Sequence, residues 1–296
     1  MQKRSIESRL FEVVLKISGT KKDFIQASRI ESILKKDHPF KFKVFYPRLL
    51  KSKLTQTSIN GLDILSFESS HPTQHIVYLH GGAYVFPPSL LHFQFCDDLA
   101  LKTQSKIILP LYPRAPVHSH KEAIALVIHL YSELLKTIPA DQISFMGDSA
   151  GGGFALVLAQ VAQLKQLPQP KHILLLSPWL DISCEDPALK DIDPLDPILG
   201  IPGLQAMGKA WAGLSDPKDP QCSPLYGNLK GIAPITTFVG THEILWVDSR
   251  RLKDKADQES IPLTLYEVPF MNHVFALFPI PEAKEVKDKI IKILQK

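Results

Sequence analysis

The pentapeptide Gly147-Asp148-Ser149-Ala150-Gly151 sets a serine between two glycines, directly after the apolar run Ile143-Ser144-Phe145-Met146 and directly before a helical pattern over 154–164. A strand that turns at once into a helix holds such a serine in a strained conformation with its Oγ above the sheet edge, and the glycines let strand and helix approach closely. The chemistry this permits is nucleophilic attack on a carbonyl carbon. Behind the serine the helix start offers free N–H groups, Ala150 first, to the oxygen that turns negative as the carbonyl becomes tetrahedral. A hydroxyl is a weak nucleophile at neutral pH, so a base must lie within hydrogen-bond reach of it and an acid must orient that base.

In a strand–turn–helix frame of this kind the acid and then the histidine follow the serine along the chain. Glu243, in Gly240-Thr241-His242-Glu243-Ile244-Leu245, and His273, in Asn272-His273-Val274-Phe275, each stand just beyond a strand-like run. Those are the strand C-terminal ends, where open α/β sheets gather their sites. Asp248, five residues after Glu243, is the fallback acid. His80-Gly81-Gly82-Ala83-Tyr84 also follows a strand-like run and presents consecutive residues with little or no side chain. It resembles the histidine–glycine segment that completes an oxyanion hole in lipases and esterases, with a plain glycine turn as the alternative. Tyr84, Trp179, Trp211 and Phe275 are candidates to line an acyl or alcohol pocket, Tyr84 and Trp179 foremost, and packing in the core is the other reading. His71, His75, His118, His120 and His242 show no ligand spacing on one helix face, so neither a metal nor a cofactor is expected, and His242 reads as a loop residue.

Positioning these groups requires alternating strands and helices. Apolar runs at 75–79, 106–111, 142–146, 172–176, 235–239 and 263–268 alternate with helical patterns near 89–103, 120–137, 150–165 and 246–258, and a last helix spans about 283–295. This predicts an α/β fold with a mainly parallel central sheet flanked by helices. Ahead of it, Ile6, Leu10, Val13, Val14 and Ile17 recur on one helix face up to Gly19. A second helix, capped by Asp23, carries Phe24, Ala27, Ile30 and Leu34, and both helices should lie on something larger. Phe42, Val44 and Tyr46 alternate as a strand, and Asn60-Gly61 joins two further strands as a hairpin. Five Asp-Pro pairs punctuate 183–222, an insertion long enough to be a lid, with one helix-like stretch over 204–211.

The net charge of +4 is too small to indicate nucleic-acid binding, but it is uneven: residues 1–53 hold 14 Lys and Arg against 5 Asp and Glu. That excess is read as a solvated lysine face on helices, with steering of an anionic substrate or contact with a membrane surface as alternatives. No apolar run is long enough to span a bilayer, and charges interrupt the N-terminal stretch where a signal peptide would be apolar, so the expected location is the cytoplasm. Cys96, Cys184 and Cys222 are too few and too scattered for a disulfide framework.

Together these motifs resemble the hormone-sensitive-lipase-like esterases of the α/β-hydrolase superfamily. The likeness runs from about Phe42 to the C-terminus and includes His80-Gly81-Gly82, Tyr112-Pro113-Arg114-Ala115-Pro116, the Gly147–Gly152 elbow and Ser177-Pro178-Trp179-Leu180-Asp181. It implies an α/β-hydrolase fold with a helical cap formed by residues 1–40 and the 183–222 insertion of a catalytic domain spanning 41–296. It also implies Ser149 as nucleophile, His273 as base, Glu243 as orienting carboxylate, and an oxyanion hole from the N–H groups of Gly81, Gly82 and Ala150. The implied activity is hydrolysis of short-chain esters of small molecules through an acyl-enzyme. Amide, lactone or thioester hydrolysis on the same triad, or a non-catalytic small-molecule receptor, remain open. The family's habit of dimerising suggests a homodimer without assigning a surface to it. Ala83, Glu243 and Val274 stand where the family usually has glycine, aspartate and glycine.

Overall fold

Apolar runs bounded by turns become the strands of one sheet in the computed structural model, which describes residues 4–40 and 50–295. The strands are β1 (Lys53–Ile59), β2 (Leu62–Glu68), β3 (Gln74–Leu79), β4 (Ser105–Pro110), β5 (Ile143–Asp148), β6 (Ile173–Leu176), β7 (Ile235–Gly240) and β8 (Leu263–Val268). Their spatial order is β1-β2-β4-β3-β5-β6-β7-β8. β1, β2 and β4 pair antiparallel, and every pair from β4 across to β8 is parallel. The β1–β2 hairpin turns on Asn60 and Gly61 at φ 50° and 79°, the two positive values that a two-residue turn requires. The strand expected around Phe42, Val44 and Tyr46 lies outside the described residues.

β5 and β6 are buried along their whole length, as strands covered on both faces must be, and so they read as unbroken apolar runs. α5 (His120–Leu135), α6 (Ala150–Leu164) and α9 (Trp246–Gln258) share a core with one face of the sheet, while α4 (Leu90–Thr103) and α10 (Pro281–Leu294) share a core with the other. The strand order reverses at β3, between β4 and β5, and this opens a crevice at the C-terminal ends of the strands.

The N-terminal segment departs from expectation twice. First, its second helix is two: α2 (Lys22–Ile25) and α3 (Ala27–Leu34) are separated by Gln26, whose φ of −91° and ψ of 115° are extended. Asp23 is not the cap; it lies inside α2 and its carboxylate accepts from Arg29 at 2.8 Å. Phe24 and Ile30 are buried as the stripe required. They pack toward α8 (Ile201–Ala212), which follows the single turn α7 (Leu189–Ile192) in the 183–222 insertion. A Cβ on Gly203 would come within 2.4 Å of the Phe24 Cα, so glycine is what admits this contact. Lys21 Nζ joins the same two segments by donating to the carbonyl oxygens of Asp193 and, at 2.8 Å, Asp196.

Second, the apolar stripe of α1 (Ile6–Ser18) faces outward. The face that docks is the opposite one: Ser5 N–H and Oγ donate to Glu282 at 2.8 and 2.9 Å, and the Phe11 ring meets Phe278 at 4.6 Å. Periodicity finds both faces of such a helix, and only tertiary packing decides which turns inward. Among the described residues no helix is long and apolar enough to cross a membrane.

Candidate active site

Ser149 is the residue at which β5 becomes α6, and it sits at φ 53°, ψ −124°, outside the regions that non-glycine residues favour. The turn is this tight because Gly151 lies against β3: a Cβ there would be 2.0 Å from the Leu79 carbonyl oxygen. β7 and β8 end level with it and deliver the other two groups. Ser149 Oγ lies 2.8 Å from His273 Nε2, and His273 Nδ1 lies 2.7 Å from Glu243 Oε2. Glu243 is fully buried, and its other oxygen accepts from Ser177 Oγ and from the Gly240 N–H, both at 2.7 Å. Three hydrogen bonds, one on Oε2 and two on Oε1, thus fix the orientation of this buried carboxyl group. Burial by itself would lower the pKa of His273, but the hydrogen bond it donates to Glu243 and the negative charge of that group outweigh this and hold it above the usual imidazole range. Such an arrangement can take the proton from a serine hydroxyl and return it to a leaving group.

The glycine loop after β3 is held by a carboxylate from the elbow itself. Asp148 Oδ1 accepts from the Gly81 N–H at 3.0 Å and from Tyr78 OH at 2.7 Å, and Oδ2 lies 3.2 Å from His92 Nε2. His92 Nδ1 accepts from the Ser89 N–H at 2.9 Å, so a neutral His92 carries its proton on Nε2 and donates it to Asp148. Burial opposes the charge on Asp148, yet these donors overcome it and hold its pKa below the carboxylate norm. Gly81 is therefore a correction: its N–H is engaged by Asp148 and cannot also bind an oxyanion. Gly82 and Ala83 donate to no protein acceptor among the described residues, and both line the cavity that contains Ser149. This cavity has a volume of about 230 Å³ and is walled by apolar side chains that include Phe24 of α2, Phe86 after β3, Leu91 of α4, Leu199 and Leu204 of the insertion, and Val274 and Leu277 after β8.

A profile of the alpha/beta hydrolase fold matches residues 76–277, more than half of the chain and all three members of the Ser149–His273–Glu243 line. The chain belongs to the α/β-hydrolase family. It is similar to an esterase from Acinetobacter venetianus, 37% identical over 221 residues that make up 72% of each chain. It is also similar to an acetyl-hydrolase from Streptomyces hygroscopicus, 29% identical over 68% of this chain and 67% of that one. Among solved structures, the hormone-sensitive-lipase homologue EstE7 from a metagenome library superposes with a TM-score of 0.83 at 27% identity, covering 98% of both chains.

Within this α/β-hydrolase the aromatic pocket candidates and the fallback acid need correcting, whereas His242 stands as expected. Tyr84 and Trp179 do not line the cavity. Both are buried beneath it, Tyr84 stacked on Trp211 at 4.1 Å and on Trp179 at 5.7 Å, with Trp179 Nε1 donating to the Asp181 carbonyl at 3.1 Å. Trp211 and Phe275 are core residues too, so the pocket is aliphatic and phenylalanine-walled. Asp248 makes no contact with His273: it accepts from the Asp181 N–H and from Arg251, each at 3.1 Å. His242 stands outside the triad, its ring against Phe270 at 5.3 Å.

Sequence reasoning missed Ser177, Asp148 and His92. Ser177 opens the Ser177–Asp181 stretch, takes a positive φ of 47° and bridges Glu243 to the Val274 N–H at 3.1 Å. Asp148 was in plain view inside the elbow, whereas His92 sits on α4 with no local signal. Val274 adopts φ 52°, ψ 29°, the left-handed region in which the usual glycine would be unstrained.

Asp248 carries a prediction of its own. Burial, and then the neighbouring Asp181 charge, raise its pKa to about 7. A carboxyl whose folded pKa exceeds its unfolded one takes up a proton on folding, so its contribution is full below the unfolded value and is lost as pH rises toward the folded one. The difference in Tm between wild type and Asp248→Asn should therefore fall steadily from about pH 4 to about pH 7 and then level off, as thermal melts across that range would read. A difference independent of pH would contradict the assignment.

Proposed function

We propose that the chain is a serine carboxylesterase for small, short-chain esters. The observation that carries this is the unbroken line from Ser149 Oγ through His273 to buried Glu243, beside a cavity lined by Gly82 and Ala83, whose N–H groups meet no protein acceptor among the described residues. In this reading His273 Nε2 accepts the Ser149 proton as Oγ bonds to the ester carbonyl carbon. The oxyanion is held by the N–H groups of Gly82, Ala83 and Ala150, the last at the start of α6 with no partner inside the helix. His273 then protonates the departing alkoxide as the C–O bond breaks, leaving an acyl-Ser149. Water attacks that acyl group by the same path, giving up its proton to His273, and the carboxylic acid leaves as Ser149 Oγ is reprotonated. Glu243 keeps the proton of neutral His273 on Nδ1 and stabilises the imidazolium that forms in each half-reaction.

Residues 1–40 and the 183–222 insertion act as the cap, since Phe24 from one and Leu199 and Leu204 from the other wall the acyl space. At about 230 Å³ that space is smaller than the roughly 300–1,000 Å³ of pockets that take drug-sized ligands. The kinship to an acetyl-hydrolase favours the same reading. Across p-nitrophenyl esters from acetate to decanoate, kcat/KM should peak at acetate to butyrate and fall by about tenfold or more beyond hexanoate, each excess methylene losing burial. A kcat/KM that climbs continuously to decanoate would overturn the short-chain assignment.

A further inference from the structure

We infer that the outer face of α1 is a docking surface for an anionic lipid bilayer, seated so that the mouth of the active-site cavity meets the membrane. Ile6, Leu10, Val13, Val14 and Ile17 form one continuous face of this 13-residue helix and are 72, 62, 51, 59 and 78% exposed. Meanwhile the opposite face is anchored to the body through Ser5, Ser8, Phe11 and Glu282. A helix apolar on both sides is normally buried on both. Here one side is taken by the protein and the other is left to a second apolar phase.

Charge identifies that phase. At 100° per residue Arg9 and Lys16 fall along one edge of the stripe, Lys16 also paired with Glu12 at 2.5 Å, and the exposed Glu7 falls along the other, so that Arg9 is the unpaired cation beside the apolar face among the described residues of α1. Lys22, Lys35 and Lys36 are exposed on the segments that follow, within a region carrying 14 basic against 5 acidic residues. Apolar residues on one face with lysine and arginine along its edge are the pattern of a helix lying in the plane of a bilayer, drawn to anionic headgroups. A second copy of the chain would bring two such positive regions together, which disfavours self-association through this face. Position supports the same conclusion: α1 ends at Gly19, and the next residues, Thr20, Asp23 and Phe24, line the cavity of Ser149. Leu91, exposed at that cavity, and Ile25 extend the apolar surface toward the mouth.

Co-sedimentation of the full chain with vesicles of phosphatidylcholine alone, and of phosphatidylcholine with phosphatidylglycerol at three to one, tests this without any turnover, so its result is independent of the hydrolase reading. The expected result is pelleting with the anionic vesicles, weakened by salt and on the order of tenfold weaker with neutral ones. Replacing Leu10, Val14 and Ile17 by glutamine should weaken it by about tenfold or more, with helicity and turnover of a water-soluble ester unchanged. Arg9→Glu, which leaves the apolar face intact, should reduce the anionic preference alone. Failure to pellet with either vesicle would overturn the proposal. So would vesicle binding untouched by the triple replacement, or a concentration-dependent dimer that the triple replacement abolishes, which would make the face a contact between copies.

Discussion

Ser149→Ala is expected to lower kcat on p-nitrophenyl acetate by on the order of 10⁵-fold, leaving only the residual acceleration that the oxyanion donors and binding supply. The loss is this large because no other hydroxyl can replace the attacking group: Ser149 alone stands at the turn from β5 to α6 with His273 Nε2 at 2.8 Å. The fold should be untouched. Alanine occupies the same strained turn, and the backbone bonds that fix it, Ser149 N–H to the Leu176 carbonyl and the Gly153 N–H to the Ser149 carbonyl, remain. Melting within a few degrees of wild type, together with steady-state kinetics, checks both halves. A loss of less than about a hundredfold would show that some other group attacks.

Glu243→Gln should cost on the order of 10³–10⁴-fold in kcat, and the structure says why so conservative a change is damaging. Ser177 Oγ and the Gly240 N–H both donate to Glu243 Oε1, so a glutamine must turn its carbonyl oxygen toward them and its NH₂ toward His273 Nδ1. An NH₂ facing Nδ1 forces the imidazole proton onto Nε2, where it blocks acceptance from Ser149. The pH profile should move as well. Because Glu243 holds the His273 pKa above the ordinary value near 6.5, the acid limb of wild-type kcat/KM should lie above about pH 6.5 and shift downward in the variant. A loss under about tenfold with a stationary limb would remove Glu243 from its proposed role.

Most of the scaffold was legible because its signals are local. The β and α patterns between 75 and 268 each appear as an element within a few residues of their expected bounds, and strand ends pointed to Ser149, Glu243 and His273. What escaped was decided by contacts between distant residues. Gly81 and Ala83 look equally available in the sequence, and only the Asp148 carboxylate, 67 residues further on, engages one and leaves the other. Glu243 and Asp248 are equally acidic, but α9 directs Asp248 to Arg251. Tyr84 follows the glycine loop after β3 and Trp179 the turn after β6, yet both face the core under α6, and nothing local separates an aromatic above the sheet edge from one below it. α1 was recognised as amphipathic, but with Phe11 and Leu15 on its other side the period could not say which face turns inward.

Turnover by nucleophilic attack of Ser149 passes through an acyl-Ser149, and intact-mass spectrometry detects it directly. The full chain would be quenched in acid during turnover of p-nitrophenyl butyrate, or after treatment with a serine-directed organophosphate, and the labelled peptide sequenced. One butyryl or phosphoryl adduct per chain, located on Ser149, absent from Ser149→Ala and formed as turnover of the organophosphate-treated protein disappears, is the predicted result. An adduct on another residue, or complete inhibition with Ser149 unmodified, would contradict it.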